Sequence, residues 1–429
     1  MGVLRLAFEL IFVTGAVVIL IASIPTNVLF EDFPIEPESY EVQDLQAVVN
    51  KVGWEPILGT KARLFLKDKV VGPESLVISR GFIYAGLADG RIIEIDKESL
   101  NFRLVTRIVD SNECYDFNYW RPNKCGRPLG MRIDPPTGNL IVVDPHFGVY
   151  KVWVKSGKTQ LLGFGENDKR PKEFQGLLND LVLDPEDPNI AYVTVSTQRW
   201  GLDKIVWELL ERKNSGMVVA VDFRTQKLTK IVDNLYAANG IEVNPEKTHL
   251  LISECTAHRI VKVNLDQIRK QLKSGKVSVK PEPFAEILPG EPDNIRQHNG
   301  ELYVGMALAR YGGPSLSDRV SNFPIIRKAL ARTLHLTSKV IKFVRTSLYE
   351  HPAFEELEFM LSSGHVLYSA MPNVGAIVIL DGKSGKIKRI LGSNKFSYIS
   401  EAVVDETNGD IFFGSFRNRF IGKLSIKDL

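Results

Sequence analysis

Several motifs by which enzymes are often recognised are missing from this sequence. It has no glycine-rich GxGxxG or Walker-type loop, no CxxC pair and no HExxH, so it lacks the usual signals for dinucleotides, phosphate-loop nucleotides and zinc proteases. It has little excess charge either. The 54 Lys and Arg residues against 51 Asp and Glu leave a net charge of +3, too small to indicate nucleic-acid binding. Acceptor sequences for N-glycosylation are also absent.

Long apolar runs are scarce, and the clearest one lies at the N-terminus, over residues 6–24. Its length is about that of one membrane-spanning helix. Arg5 precedes it and acidic residues follow it, which predicts a cytoplasmic tail over residues 1–5 and a signal anchor over residues 6–24. The expected protein is then a single-pass type II protein of the endoplasmic reticulum or plasma membrane. A signal peptide cleaved at the small residues 21–23 is the alternative.

Both readings place the folded part in the lumen or outside the cell, which affects how the three cysteines are interpreted. Cys114 and Cys125 lie eleven residues apart in a loop without metal-ligand spacing, so a disulfide between them is expected in an oxidising compartment. Cys255 follows a strand-like segment and is predicted to be a small buried thiol.

The pattern changes along the chain from an acidic, proline-punctuated stalk over residues 25–60 to short β-rich runs over residues 61–429. These runs are rich in Val, Ile, Tyr and Phe and are separated by Gly, Asp and Asn turns, as in strands and hairpins. Examples of predicted strand pairs are residues 82–85 with 92–95 and 366–369 with 376–380.

Short turns carrying acidic, amide or basic side chains recur between these runs, most of them roughly 50–60 residues apart. They contain Glu74, Arg127, Asn179, Asn239, Asp293 and Glu401. About four strands per period is typical of a propeller blade. The fold class predicted is therefore all-β, a six-bladed β-propeller, with seven blades as the alternative.

The interval before Glu401 is about twice as long because residues 315–349 have a helical, basic and amphipathic pattern. We interpret them as a helical insert in blade five. Such an insert could lie on a membrane surface or cover the mouth of the channel as a lid. It could also pack on the propeller rim with its lysines and arginines in solvent.

In a propeller, residues far apart in sequence meet at the central channel. The side chains expected there are hard oxygen donors, some charged and some neutral, which is the ligand set that Ca²⁺ prefers. The candidate metal ligands are Glu74, Asn179, Asn239, Asp293 and Asn294. No His or Cys occupies the corresponding positions, which disfavours zinc.

The same motifs resemble those of the strictosidine synthase-like proteins, in the order of the turns, the paired cysteines and the helical insert. The wider clan includes the paraoxonases and gluconolactonases, propellers in which a bound metal, calcium in the paraoxonases, serves ester and lactone hydrolysis. The resemblance implies calcium as cofactor, bound at the five candidate positions. It also implies that Glu401 lies near the catalytic glutamate of the plant enzymes.

The function expected is a membrane-tethered, calcium-dependent hydrolase of the arylesterase or lactonase type, acting on a small-molecule ester or lactone. Asp293 and His146 are the candidate bases that would activate water. Two alternatives stay open. One is a non-catalytic propeller that binds a partner protein or lipid, and the other is a condensing enzyme that uses Glu401. The membrane is an expected partner through the N-terminal anchor, and nucleic acid is not.

Overall fold

The computed structural model describes residues 15–111, 114, 122–274 and 279–429. Its strands are β1 (Arg63–Phe65), β2 (Ser75–Ser79), β3 (Phe82–Gly86), β4 (Arg91–Asp96), β5 (Phe102–Arg107), β6 (Met131–Ile133), β7 (Leu140–Asp144), β8 (Gly148–Val152), β9 (Thr159–Gly163), β10 (Leu178–Leu183), β11 (Ile190–Val195), β12 (Gly216–Asp222), β13 (Lys227–Leu235), β14 (Ala238–Val243), β15 (His249–Glu254), β16 (Arg259–Asn264), β17 (Glu282–Ala285), β18 (Gly290–His298), β19 (Glu301–Ala309), β20 (Gly375–Asp381), β21 (Ile387–Ser393), β22 (Glu401–Val404), β23 (Ile411–Gly414) and β24 (Ile421–Leu424).

The helices in the described part of the chain are fewer than the strands. They are α1 (residues 15–23), α2 (Thr26–Leu29), α3 (Leu45–Val52), α4 (Ile57–Lys61), α5 (Pro122–Cys125), α6 (Ile205–Glu211), α7 (Leu265–Ser274), α8 (Leu316–Arg319), α9 (Pro324–Ser347) and α10 (Pro352–Ser362).

The described strands form six four-stranded antiparallel sheets, which we number in chain order. Sheets one to five each contain four consecutive strands, from β2–β5 to β18–β21. Sheet six has the order β1-β24-β23-β22, so it combines the first strand of the described chain with the last three. Arg63 pairs with Lys423 and Phe65 with Ile421, which joins the beginning of the sheet region to its end by backbone hydrogen bonds.

The first strand of each sheet contacts the first strands of its two neighbours. The contacts run β2–β6–β10–β14–β18–β22 and return to β2. Apolar side chains of adjacent sheets share common cores, as where Ile141 and Val143 of sheet two pack with Leu181 and Val193 of sheet three. The arrangement is consistent with a six-bladed β-propeller, and six sheets rather than seven are present among the described residues.

The turns follow from local chemistry. Between β20 and β21, the Asp381 carboxylate accepts a hydrogen bond from the backbone N–H of Ser384 at 2.7 Å. Gly385 has a φ of +71°, a conformation that glycine adopts without steric cost. This hairpin is the kind that the sequence pattern predicts.

One predicted strand is wrong. Residues 366–369 lie in a 3₁₀ helix, His365–Ala370, and the true partner of β20 is β19. Helices α8, α9 and α10 come between these two strands in the chain, so the insert interrupts sheet five. Strand propensity alone does not identify the pairing of β19 with β20 across so long an insertion, because a strand forms only where a neighbouring strand is available in the folded structure.

The described chain divides into two compact units. The helical unit comprises the described residues up to Gln43 together with Lys204–Lys213 and Pro314–Met371, and the sheet unit comprises the remaining residues. In the expected stalk, residues 45–52 and 57–61 are helical, and Trp54 stacks on Tyr311 with ring centroids 4.3 Å apart.

The predicted disulfide is confirmed, since Cys114 and Cys125 are bonded with their Cα atoms 5.4 Å apart. Cys255 is buried, as expected. In the part of the chain that the structure describes, no helix is long and apolar enough to cross a membrane. Residues 1–14, which include the predicted tail and much of the predicted anchor, lie outside the described residues.

Candidate functional site

The candidate metal ligands lie at the beginnings of first strands in four different sheets. Glu74 directly precedes β2 in sheet one. Asn179 lies in β10 of sheet three and Asn239 in β14 of sheet four, whereas Asp293 and Asn294 lie in β18 of sheet five. The antiparallel register is interrupted at three of these places.

The interruptions fall across the candidate ligands themselves. The pairing of β10 with β11 shifts between Leu178 and Leu181, so the two residues between them leave the regular ladder. Equivalent shifts occur between Ala238 and Ile241 in β14 and between Pro292 and Ile295 in β18. Irregularities of this kind turn side chains away from the normal alternation and are frequent beside functional sites.

Beside the candidate ligands, glycines allow the first strands of neighbouring sheets to approach one another closely. A Cβ atom on Gly130 would lie 2.5 Å from the Cα atom of Asp180, and one on Gly240 would lie 2.4 Å from the carbonyl oxygen of Asp293. Both distances are shorter than real Cβ contacts, so larger residues would separate the neighbouring strands. The glycines therefore keep the candidate ligands within one small region.

Four side-chain oxygen atoms of the candidate ligands lack a hydrogen-bond donor. The amide of Asn294 donates from Nδ2 to Glu74 Oε1 at 3.0 Å, and Asn239 donates to the Asp293 carboxylate. The atoms left without a partner among the described residues are Glu74 Oε2, Asn179 Oδ1, Asn239 Oδ1 and Asn294 Oδ1. Buried polar atoms are nearly always paired in native proteins, so four unpaired oxygens in this region are a donor set that a bound cation would satisfy.

The electrostatics also favour a cation. Burial, with the nearby negative charges of Glu401 and Asp180, raises the pKa of Glu74 to about 8, although the cation of Arg127 opposes the rise. Burial likewise raises the pKa of Asp293 well above its usual value, and Glu74 and Glu401 add to the effect. Carboxylates so close together and so well removed from water are stabilised when a cation joins them.

The donor set fits calcium rather than a metal that prefers nitrogen or sulfur. Within the described ranges, no three His, Cys, Asp or Glu side chains group closely enough to hold a metal by themselves. The amide oxygens of Asn179, Asn239 and Asn294 are therefore needed to complete the set. A mixture of carboxylate and neutral oxygens suits Ca²⁺ and not Zn²⁺.

A ring of polar side chains, one from each first strand, lies beside the oxygen cluster. Its members are Ser75, Arg132, Asp180, Glu242, Arg296 and Glu401. Arg296 joins Asp180 Oδ2 at 2.8 Å to Glu401 Oε2 at 2.6 Å. Arg132 joins the same Asp180 at 3.1 Å to Glu242 at 3.7 Å. We call this set the ionic ring.

The ionic ring explains the position of Glu401, the candidate glutamate of a condensing enzyme. Glu401 is fully buried and accepts hydrogen bonds from Arg296 and from Ser75 Oγ. Burial raises the pKa of Glu401 to about 7 against the opposing charge of Arg296. Its carboxylate is thus engaged in an ion pair.

His146 lies in a different place from the oxygen cluster. It follows β7, and Asp144 Oδ1 accepts the backbone N–H of His146 at 2.9 Å. The imidazole lines a cavity of about 140 Å³ together with residues such as Asn167, Gln198 and Trp200, and no candidate metal ligand lines that cavity. Burial lowers the pKa of His146, while Asp144 works in the opposite direction. Among the described residues, His146 is thus placed by Asp144 and by this cavity, whereas Asp293 is bonded to Asn239.

Arg127 is a functional candidate that sequence reasoning counted only as part of a turn. It is buried, and its Nη2 donates to the carbonyl oxygen of Phe416 at 3.0 Å. Its Nη1 has no hydrogen-bond partner in the described chain. Burial lowers the pKa of Arg127 to about 10, with Glu74 as the largest opposing charge. A guanidinium donor is thus available beside the oxygen cluster.

The six sheets, their ring of first strands and the oxygen cluster define a propeller-type β-protein. Residues 60–95 match the N-terminal region of strictosidine synthase-like proteins, and residues 179–267 match the strictosidine synthase family. The adipocyte plasma membrane-associated protein of Salmo salar is 30% identical over 370 residues, which are 85% of this chain and 78% of that protein. This chain belongs to the strictosidine synthase-like family, together with the adipocyte plasma membrane-associated proteins.

One further relative agrees with this membership, and one solved structure agrees with the fold. A protein of Arabidopsis thaliana named strictosidine synthase-like 2 is 28% identical over 403 residues, covering 90% of this chain and 96% of its own length. Among solved structures, a gluconolactonase of Xanthomonas campestris superposes with a TM-score of 0.50 at 13% identity, covering 91% of this chain and 96% of that chain. At this identity the likeness concerns the fold alone.

Proposed function

We propose that this protein is a calcium-dependent hydrolase of ester or lactone substrates, of the arylesterase or lactonase type, held at the lumenal or extracellular side of a membrane. The observation that carries the proposal is the cluster of four unpartnered oxygens, on Glu74, Asn179, Asn239 and Asn294. The structural likeness to a gluconolactonase agrees with a lactone as substrate class.

Glu74, Asn179, Asn239, Asp293 and Asn294 would hold the calcium ion. When bound, calcium would supply electrophilic polarisation of a substrate carbonyl, the kind of assistance that ester and lactone hydrolysis needs. The ionic ring beside the ligands would keep their backbone positions fixed. Such a rigid support favours a site whose geometry is set before substrate arrives.

The chain's own groups would carry the remaining steps. Asp293, oriented by the Asn239 amide, would accept the proton of the attacking water. Arg127 Nη1 would donate a hydrogen bond to the substrate oxygen that becomes negatively charged. His146 lies on its own cavity, so we assign the proton transfer to Asp293 and not to His146.

The helical unit supports a retained N-terminal segment. Relatives such as those of Salmo salar and Danio rerio are named adipocyte plasma membrane-associated proteins. Buried Arg332 donates from Nη1 to the carbonyl oxygens of Ala22 at 3.0 Å and Ile24 at 2.5 Å, and from Nη2 to Thr26 Oγ1 at 2.9 Å. Cleavage at residues 21–23 would remove part of this hydrogen-bonding set, and the loss of an acceptor from a buried arginine is costly. We therefore propose that residues 6–24 remain as a membrane tether.

The proposal is tested with the full chain purified in detergent. We expect hydrolysis of phenyl acetate and of an aliphatic lactone that is lost in EDTA and restored by calcium. Asn179→Ala should weaken calcium binding measured by calorimetry about tenfold or more, since each lost oxygen ligand is worth at least the energy of a hydrogen bond to a charged group. Asn189→Ala, an exposed position in the same sheet, is the matched control.

A non-catalytic propeller is the alternative. It has a specific basis in the structure, because Glu401 is held in an ion pair with Arg296 and His146 lines a cavity that none of the candidate metal ligands lines. In that case calcium binding would still fall in Asn179→Ala, while no ester or lactone would be turned over by the folded, calcium-loaded protein. Hydrolysis that is indifferent to EDTA and to Asp293→Ala would contradict the proposed site.

A further inference from the structure

The 24-residue helix α9 is amphipathic in an unusual sense, because its apolar face is directed outward. The large apolar side chains of Ile325, Val340 and Phe343 are 57%, 60% and 61% exposed, and Ile326 is also exposed. At 100° per residue these four positions lie within an arc of about 100° on the helix. Soluble helices normally direct such a stripe toward a core.

Most basic residues of α9 lie outside that arc and are bonded within the helical unit. Lys328 Nζ contacts Glu36 Oε2 at 2.6 Å, and Lys339 Nζ contacts Asp32 Oδ1 at 3.0 Å. Arg345 Nε donates to Glu358 Oε2 at 2.9 Å. The charges are therefore used inside the helical unit, and they do not make the outward face soluble.

Other elements of the helical unit extend the apolar surface. In α1, Ile19 and Leu20 are 59% and 66% exposed, and in α2, Val28 is 70% exposed. An exposed apolar set of this size is uncommon on a soluble protein and indicates a membrane or a partner.

What covers this surface is indicated by the chemistry of α1. Helix α1 is the C-terminal part of the apolar run over residues 6–24, whose length suits a lipid bilayer. Arg332 of α9 binds the carbonyl oxygens at the end of that run, which fixes α9 beside the point where the run ends. A helix held at that point with an apolar outward face is suited to the interface between lipid chains and headgroups.

We propose that α9 lies in the surface of the same membrane that holds the N-terminal run, with Ile325, Ile326, Val340 and Phe343 inserted among the lipid acyl chains. The helical unit is then attached to the membrane by two elements, the N-terminal tether and one interfacial helix. The inference rests on the tether proposed above and adds an interaction surface to it.

The test places fluorescent labels on single cysteines in the full chain, in a Cys255→Ser background, reconstituted in phosphatidylcholine bilayers with brominated acyl chains. Bromine quenches a label only when the label is among the chains. We expect about twofold or stronger quenching at Val340→Cys and Phe343→Cys, because an interfacial helix buries its apolar face at the acyl boundary. Thr346→Cys, exposed on the basic side of α9, is the matched control and should change little.

A fourth label, at Leu20→Cys, separates failure of this inference from failure of the tether. Quenching at position 20 but not at 340 or 343 would overturn the interfacial helix and leave the tether in place. Quenching at none of the three would overturn both. Disulfide-linked dimers of Val340→Cys in unbrominated bilayers, without quenching, would show that a second copy covers the face and would also overturn the proposal. Thermal unfolding of each variant verifies that it is folded.

Discussion

Replacing Arg296 by methionine removes the cation that connects two buried carboxylates of the ionic ring. Asp180 would keep Arg132 at 3.1 Å and the backbone N–H of Ile241 at 3.1 Å. Glu401 would lose Arg296 and keep Ser75 Oγ at 3.2 Å, the backbone N–H of Ala402 at 3.2 Å and a long contact of 3.5 Å with the backbone N–H of Leu76. The energetic consequence therefore falls mainly on Glu401, which has no exposed surface.

Removing one partner of a buried ion pair typically costs about 3–5 kcal/mol, because the other charge is left in a medium of low polarity. We expect Arg296→Met to lower the free energy of unfolding of the sheet unit by about that amount. The double variant Arg296→Met/Glu401→Gln removes both charges, so its loss should be smaller than the sum of the single losses by about 1–3 kcal/mol.

Urea unfolding followed by tryptophan fluorescence measures these changes in calcium-free buffer. Arg103→Met is the control, since the Arg103 side chain is half exposed and its contact with Glu94 should contribute less than about 1 kcal/mol. A loss below about 1 kcal/mol for Arg296→Met, or strict additivity in the double variant, would refute the view that the ring is a coupled buried network.

Three further outcomes are expected. Arg127→Met should lower kcat/KM for ester hydrolysis by about tenfold or more, the value of one hydrogen bond to a developing charge. Calcium binding in calorimetry should not be weakened, because the lost cation acts on the ligand Glu74. Asp184→Asn should destabilise the protein by about 1–3 kcal/mol at pH 7. Burial alone would raise the pKa of Asp184, but hydrogen bonds from Arg269 and Tyr192 hold this pKa below its usual value. The contribution of Asp184 to stability is therefore present above about pH 3.9 and lost in stronger acid. Unfolding curves of the two proteins that differ equally at pH 2 and pH 7 would contradict this. Gly240→Ala should cost about 1–3 kcal/mol through its clash with the Asp293 carbonyl, seen as a lower urea midpoint, and a normal midpoint would show that the strands can separate freely.

The fold was largely accessible from the sequence because its signals are local. Alternating Val, Ile and Phe runs between Gly, Asp and Asn turns predict the strands, and their period predicts six units. The bonded pair Cys114–Cys125 also follows from spacing and compartment. The strand predicted over residues 366–369 failed because a strand needs a partner, and the partner of β20 lies on the far side of the insert.

The candidate ligands could be named from the sequence, but their grouping could not. The sequence pattern is the same in three places: two small residues, at least one of them polar, lie between apolar residues. The pairs are Asn179-Asp180, Asn239-Gly240 and Asp293-Asn294. That these pairs leave the strand ladder, and that the amide oxygens of Asn179, Asn239 and Asn294 remain unpartnered, depends on neighbouring sheets.

The sequence by itself determined the β-rich blades, the amphipathic helix and the oxygen-bearing turns, since these depend on residues close together along the chain. The tertiary structure alone decided which charges meet. Arg296 finds Asp180 and Glu401, 116 and 105 residues away, and Lys328 and Lys339 of α9 find Glu36 and Asp32. Pairing over such distances is selected by burial, because a charge removed from water must find its partner wherever the fold places it.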